Sequence, residues 1–132
     1  MASIRKEVLI ETPPDLVWDA VRDVGAVHVR VAPGFLTGCR MEDAPLARVV
    51  TFANGLEARE LIVDVDDAAR RLVWAVVGGR MSHHNASMQI ISEEAGRSRV
   101  VWIADLLPNE LAPVIAGMIE QGLAAMKKTL EH

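Results

Sequence analysis

The chain has 132 residues, 51% of them hydrophobic, and a formal charge of −4. That length fits a single domain over 1–132, since two separate cores would each bury too little apolar surface. The acidic balance and scattered Lys and Arg argue against a nucleic-acid partner, which needs clustered cations, and against an anionic membrane face.

Three Trp, two Phe and no Tyr leave the interior to Val, Ile, Leu, Met and Ala. These bury less area per side chain than aromatics and can leave internal space. A lone cysteine, Cys39, rules out an internal disulfide and fits a reducing, cytoplasmic setting. Met1 to Glu7 lacks the apolar run of a signal peptide, and no window approaches the roughly 18 uninterrupted apolar residues of a membrane span. Leu130-Glu131-His132 resembles the start of a vector-encoded histidine tag and is assigned no role.

In chain order, Ile4–Glu11 alternates apolar and charged residues and predicts a first strand. Thr12 is suited to cap a helix that begins at Pro13, a position where no N–H is required. Leu16, Val17, Ala20, Val21 and Val24 carry the helical spacing, and Gly25 ends it. Ala26–Val31 predicts a second short helix before the break at Pro33-Gly34. Six strand-like runs follow at hairpin intervals: Phe35–Glu42, Ala47–Ala53, Leu56–Val65, Arg71–Val77, Ser82–Ser92 and Arg99–Leu107. Tight turns between them, Asn54-Gly55 above all, predict an antiparallel meander. Glu110–Leu130 predicts a long helix with Leu111, Ile115, Met118, Ile119, Leu123 and Met126 on one side. Its Gly117, Gly122 and several alanines either let the helix approach the sheet or leave volume for a guest.

This order, with Pro13-Pro14-Asp15-Leu16-Val17-Trp18 after the first strand, Gly55–Leu61, Asp64, Arg71-Leu72-Val73-Trp74 and Val100-Val101-Trp102, resembles the START-like helix-grip superfamily. The resemblance is to its polyketide cyclase/dehydrase-like (SRPBCC) branch and covers essentially the whole chain. It implies an α+β fold: a curved antiparallel sheet of about seven strands around the C-terminal helix, with two short helices after the first strand. It also implies a hydrophobic pocket between sheet and helix. Superfamily members include lipid and sterol carriers, hormone receptors and aromatase/cyclases, so the fold alone does not name a reaction.

Strand parity sorts side chains to one face. The inward sets are Phe35, Thr37, Cys39 and Met41; Leu56, Ala58, Glu60 and Ile62; Leu72, Trp74 and Val76; His84, Ala86, Met88 and Ile90; and Val100, Trp102, Ala104 and Leu106. From these the expected cavity takes Phe35, Cys39, Met41, Ala58, Glu60, Ile62, Trp74, Val76, His84, Ala86, Met88, Trp102 and Ala104. The helix adds Ile115, Met118 and Gly122.

Glu60 and His84 are the polar members, and as acid and base they could move a proton next to a carbonyl. The alternatives are that Glu60 pairs with an Arg near a strand end and that His84 sits at a wet cavity mouth. His83 and His84 point to opposite faces of a strand and cannot chelate one metal, and His28 stands alone, so no metal is expected. Gly78-Gly79 is not a phosphate loop, because no Lys-Ser/Thr follows, and no cofactor is expected. Cys39 lacks the charge pattern of a nucleophile.

Three functions fit this reading. The first is binding of a small hydrophobic molecule, whether polyketide-like, aromatic or lipid-like. The second is an aromatase/cyclase or dehydratase using Glu60 and His84. The third is an interaction module with a vestigial, filled cavity. Homodimerisation is compatible with all three.

Overall fold

The computed structural model describes residues 1–131. Strands β1 (Ala2–Ile10), β2 (Leu36–Asp43), β3 (Leu46–Phe52), β4 (Glu57–Asp66), β5 (Arg71–Val77), β6 (His83–Glu93) and β7 (Arg97–Leu107) form one antiparallel sheet. Their spatial order is β1-β7-β6-β5-β4-β3-β2, a meander whose last strand returns beside the first. The alternation in β1 has a direct cause in this arrangement. Ile4 and Ile10 are buried beneath the helices, while Arg5, Glu7 and Arg99 lie on the other face and pair with one another.

Helix α1 (Pro14–Arg22), a 3-10 turn (Val24–Ala26) and the one-turn α2 (Val27–Arg30) connect β1 to β2. Thr12 does not cap α1. The cap position falls on Pro13 with no side-chain bond, and the Thr12 hydroxyl instead donates to the Leu130 carbonyl at 2.5 Å. The last carbonyls of a helix have no intrahelical donor, so that group was open to a partner.

Helix α3 (Ala112–Leu130) follows a 3-10 turn at Asn109–Leu111 and lies along β1. Pro113 stands in its first turn, where a missing N–H costs no helical hydrogen bond. The helix buries Ile119, Gly122, Leu123 and Met126. Its far end is tied down by the Thr12 bond, by Lys127 Nζ to the Leu9 carbonyl (2.8 Å) and by the Glu11 amide to the Glu131 carboxylate (2.9 Å). Leu130 and Glu131 therefore take part in the bonding of the fold, although the sequence alone assigns them none. His132 lies outside the described residues.

Three local details set which side chains face inward. β2 shifts register between Leu36 and Gly38, leaving Thr37 unpaired in the ladder, and β4 does the same between Ile62 and Asp64, leaving Val63. A bulge of this kind moves one residue out of the alternation. The β3–β4 connection is a three-residue loop, Ala53-Asn54-Gly55, closed by the Phe52 amide donating to the Leu56 carbonyl (2.8 Å), with Gly55 at φ +88°. A left-handed third residue is the usual requirement of such a loop, and glycine meets it without strain.

Candidate functional site

Between α3 and the concave face of the sheet lies a cavity of about 380 Å³. That is toward the low end of the roughly 300–1,000 Å³ of small-molecule pockets. The expected residues Phe35, Ala58, Glu60, Trp74, Val76, His84, Met88, Trp102, Ile115, Met118 and Gly122 all border it. They reach it because paired residues of neighbouring antiparallel strands share a face, so Leu72, Met88 and Trp102 form one inward row, and Trp74, Ala86 and Ala104 the next.

Five expected residues do not border it. Cys39 and Met41 have the right parity, pairing with the inward Val50 and Arg48. The Val24–Ala26 turn and α2 cover them: Cys39 Sγ lies 3.9 Å from the Val24 carbonyl, and the Met41 side chain is packed at Gly25. Ile62 joins the apolar core instead of the cavity wall, just ahead of the β4 bulge. Ala86 and Ala104 face inward but are short, and larger neighbours close over them. The Trp74 and Trp102 rings are 5.7 Å apart and inclined at 63°. Since β5 and β7 are two strand spacings apart, about 10 Å, the two indoles must lean together above β6.

Leu36 is the reverse case. The β2 bulge sends Thr37 to solvent and turns Leu36, opposite Phe52, into the cavity.

Arg48 was not anticipated. It lies opposite Glu60 in the β3–β4 ladder, buried at 4% exposure, with Nε donating to Glu60 Oε1 at 2.7 Å. Nη1 donates to the Val24 carbonyl at 3.2 Å, and the guanidinium carbon stands 5.6 Å from the centre of the Trp74 ring. Nη2 makes no hydrogen bond within the described protein and is not sealed off. The partner of Glu60 is thus an arginine, as one alternative had it, and it is the third residue of β3. Loop length was the signal that could have found it: a two-residue turn at Asn54-Gly55 would set Glu60 opposite Val49, whereas the three-residue loop sets it opposite Arg48.

His84 borders the same cavity two strands from Glu60, about 10 Å across the sheet. No hydrogen bond joins them, and Nδ1 of His84 is buried with no partner among the described residues. Burial pushes this imidazole below its ordinary range, and the neighbouring His83 adds to the shift, so the ring is neutral at pH 7. His28 does not border the cavity, and Arg30 is engaged by Asp19 and Asp23 on the surface. Burial also raises the Cys39 thiol, the opposite of what a nucleophile needs. Among the described residues no three His, Cys, Asp or Glu side chains converge as a metal site would require. Among the described residues no helix is long and apolar enough to cross a membrane.

The arrangement is therefore a mostly apolar chamber with one buried ion pair and one neutral histidine in its wall. The family model for polyketide cyclase / dehydrase and lipid transport matches residues 1–131. The chain belongs to that family. A solution structure from Thermobifida fusca is 28% identical, with a TM-score of 0.80 over 100% of this chain and 97% of that one. The di-domain ARO/CYC BexL of the BE-7585A biosynthetic pathway superposes with a TM-score of 0.81 at 17% identity, covering 98% of this chain and 46% of its own. Truncated norcoclaurine synthase from Thalictrum flavum gives 0.77 at 16% identity, covering 99% and 94%. At such identities the last two show the fold alone. No curated protein matches the sequence. Membership of the polyketide cyclase/dehydrase family supports a ligand-binding or cyclase role.

Proposed function

We propose that this family member binds a small, mostly apolar molecule, polyketide-like, aromatic or lipid-like, with one oxygen-bearing group held at Arg48 and Glu60. The observation that carries this reading is the ion pair itself. Two charges taken out of water cost several kcal/mol each unless their hydrogen bonds are well met, and here Arg48 borders a mostly apolar cavity while its Nη2 has no hydrogen bond among the described residues. A guest oxygen accepting from Nη2 would supply one. The rest of the wall, including Trp74, Val76, Met88, Trp102, Ile115 and Met118, offers apolar burial worth about 25 cal/mol per Å².

Native mass spectrometry of freshly purified protein, with a fluorescence-displacement screen of polyphenols, polyketide mimics and lipids, tests the reading. Binding weakened at least tenfold in the paired variant R48M/E60L supports it. Wild-type protein that binds nothing in the screen and carries nothing from purification would end it.

Catalysis is the second reading, favoured by Glu60 and His84 bordering one cavity with His84 held neutral, as a general base must be. It requires that E60Q and H84Q abolish turnover while ligand binding persists. The open interior counts against a module with a filled, vestigial cavity.

A further inference from the structure

Outside the cavity, α3 and the loop ahead of β2 enclose a hollow bordered by Pro33, Gly34, Gln121, Ala125, Lys128 and Thr129. Among the described residues, Phe35 is the one that borders both this hollow and the interior cavity. Its ring is held from two sides. It meets Phe52 edge-on at 5.5 Å, and a Cβ built on Gly122 of α3 would stand 3.3 Å from its Cε2. Gly122 thus lets the ring lie against the helix backbone, and the ring fills the gap between α3 and the β2–β3 side of the sheet. On the inner face of β3, Arg48, Val50 and Phe52 follow one another toward this ring, spanning about 13 Å.

We infer that Phe35 is a specificity-determining residue that fixes how long a guest the cavity accepts. The inference rests on the ligand-binding reading above. With its oxygen at Arg48 and Glu60, a linear guest that runs along Val50 and Phe52 meets the Phe35 ring as an end wall. Removing the ring joins the cavity to the outer hollow, and the guest gains room beyond it. The polar border supplied by Gln121, Lys128 and Thr129 then limits how much further an apolar chain gains.

Straight-chain primary alcohols from six to sixteen carbons serve as the probe series. Each carries a hydroxyl able both to accept from Arg48 Nη2 and to donate to Glu60. Affinity is read by displacement of 1-anilinonaphthalene-8-sulfonate. In the wild type it should rise about fourfold per added methylene until the chain fills the space, then stop rising. In F35A the break should move to longer chains by about two to four carbons, and in F35W it should move to shorter ones. F35L, which keeps an apolar branched side chain, serves if F35A does not fold and should shift the break in the same direction as F35A. A break at the same length in all variants, with affinity lowered evenly across the series, would make Phe35 an ordinary wall contact and overturn the inference. A wild type that binds no alcohol of any length would overturn the inference as well, and only together with an empty polyphenol, polyketide-mimic and lipid screen would it remove the ligand reading itself.

Discussion

Arg48 and Glu60 face each other across neighbouring strands, Nε to Oε1 at 2.7 Å, with side chains only 5% and 11% exposed. A charge pair so enclosed behaves asymmetrically: losing one member is expensive, and losing both need not be. R48A should lower unfolding stability in urea by about 3–5 kcal/mol, because Glu60 is left buried without its partner. R48M/E60L should recover most of that loss. A double variant as unstable as R48A would show that the pair holds the fold and not the guest.

The two glycines of α3, part-buried Gly117 and buried Gly122, should respond in opposite directions. A Cβ on Gly117 would meet nothing within 4 Å, so G117A should gain about 0.5–1 kcal/mol from helix propensity. A Cβ on Gly122 would stand 2.9 Å from Trp102 Cζ3, closer than such atoms approach. G122A should therefore push Trp102 and Phe35 toward the cavity, lose about 1–3 kcal/mol through overpacking, and weaken guest binding. Thermal or urea melts of the two variants, alongside probe titrations, check both halves.

Folding stability should fall on the acid side of neutrality through His84. Its folded pKa is depressed, so the neutral ring is favoured by the fold, and the unfolded chain takes up the proton first. The contribution is fully present above the unfolded value of about 6.5 and is lost as pH falls through the lower folded value. H84Q should flatten the stability profile below about pH 6.5 relative to the wild type. An unchanged slope in that window would place the titration elsewhere.

Tryptophan emission should report the guest selectively. Trp74 and Trp102 border the cavity, whereas Trp18 is on α1 with its Nε1 donating to Asp67 at 2.9 Å. A ligand-induced change in emission should survive in W18F and shrink in W74F and W102F. A signal lost in W18F would mean the guest binds outside the cavity.

Much of this was legible from residue order, because alternation and turn residues are local signals. Arg71–Val77 is a strand with those same bounds, and the other five meander runs lie within two residues of their predicted ends. Parity then found Glu60, Trp74, His84, Met88 and Trp102. What stayed hidden depended on one-residue events with no signature in composition. The bulge at Thr37 exchanged it for Leu36, and the third loop residue set Arg48 against Glu60. Cys39 and Met41 show a different limit. Parity says which way a side chain points, but not that a separate turn at Val24–Ala26 is folded over it.

The bonds of Thr12, Lys127 and Glu131 fasten only one end of α3. The other end begins beside the cavity, where Val114 is 59% exposed and no side chain caps the first turn. The next tie along the rod is in its middle, where Lys6 Nζ holds Glu120 at 2.9 Å. Amide exchange should accordingly be fastest over residues 112–116 and slowest over 123–127, so that a guest would enter by a tilt of the first turns without unfolding the rod.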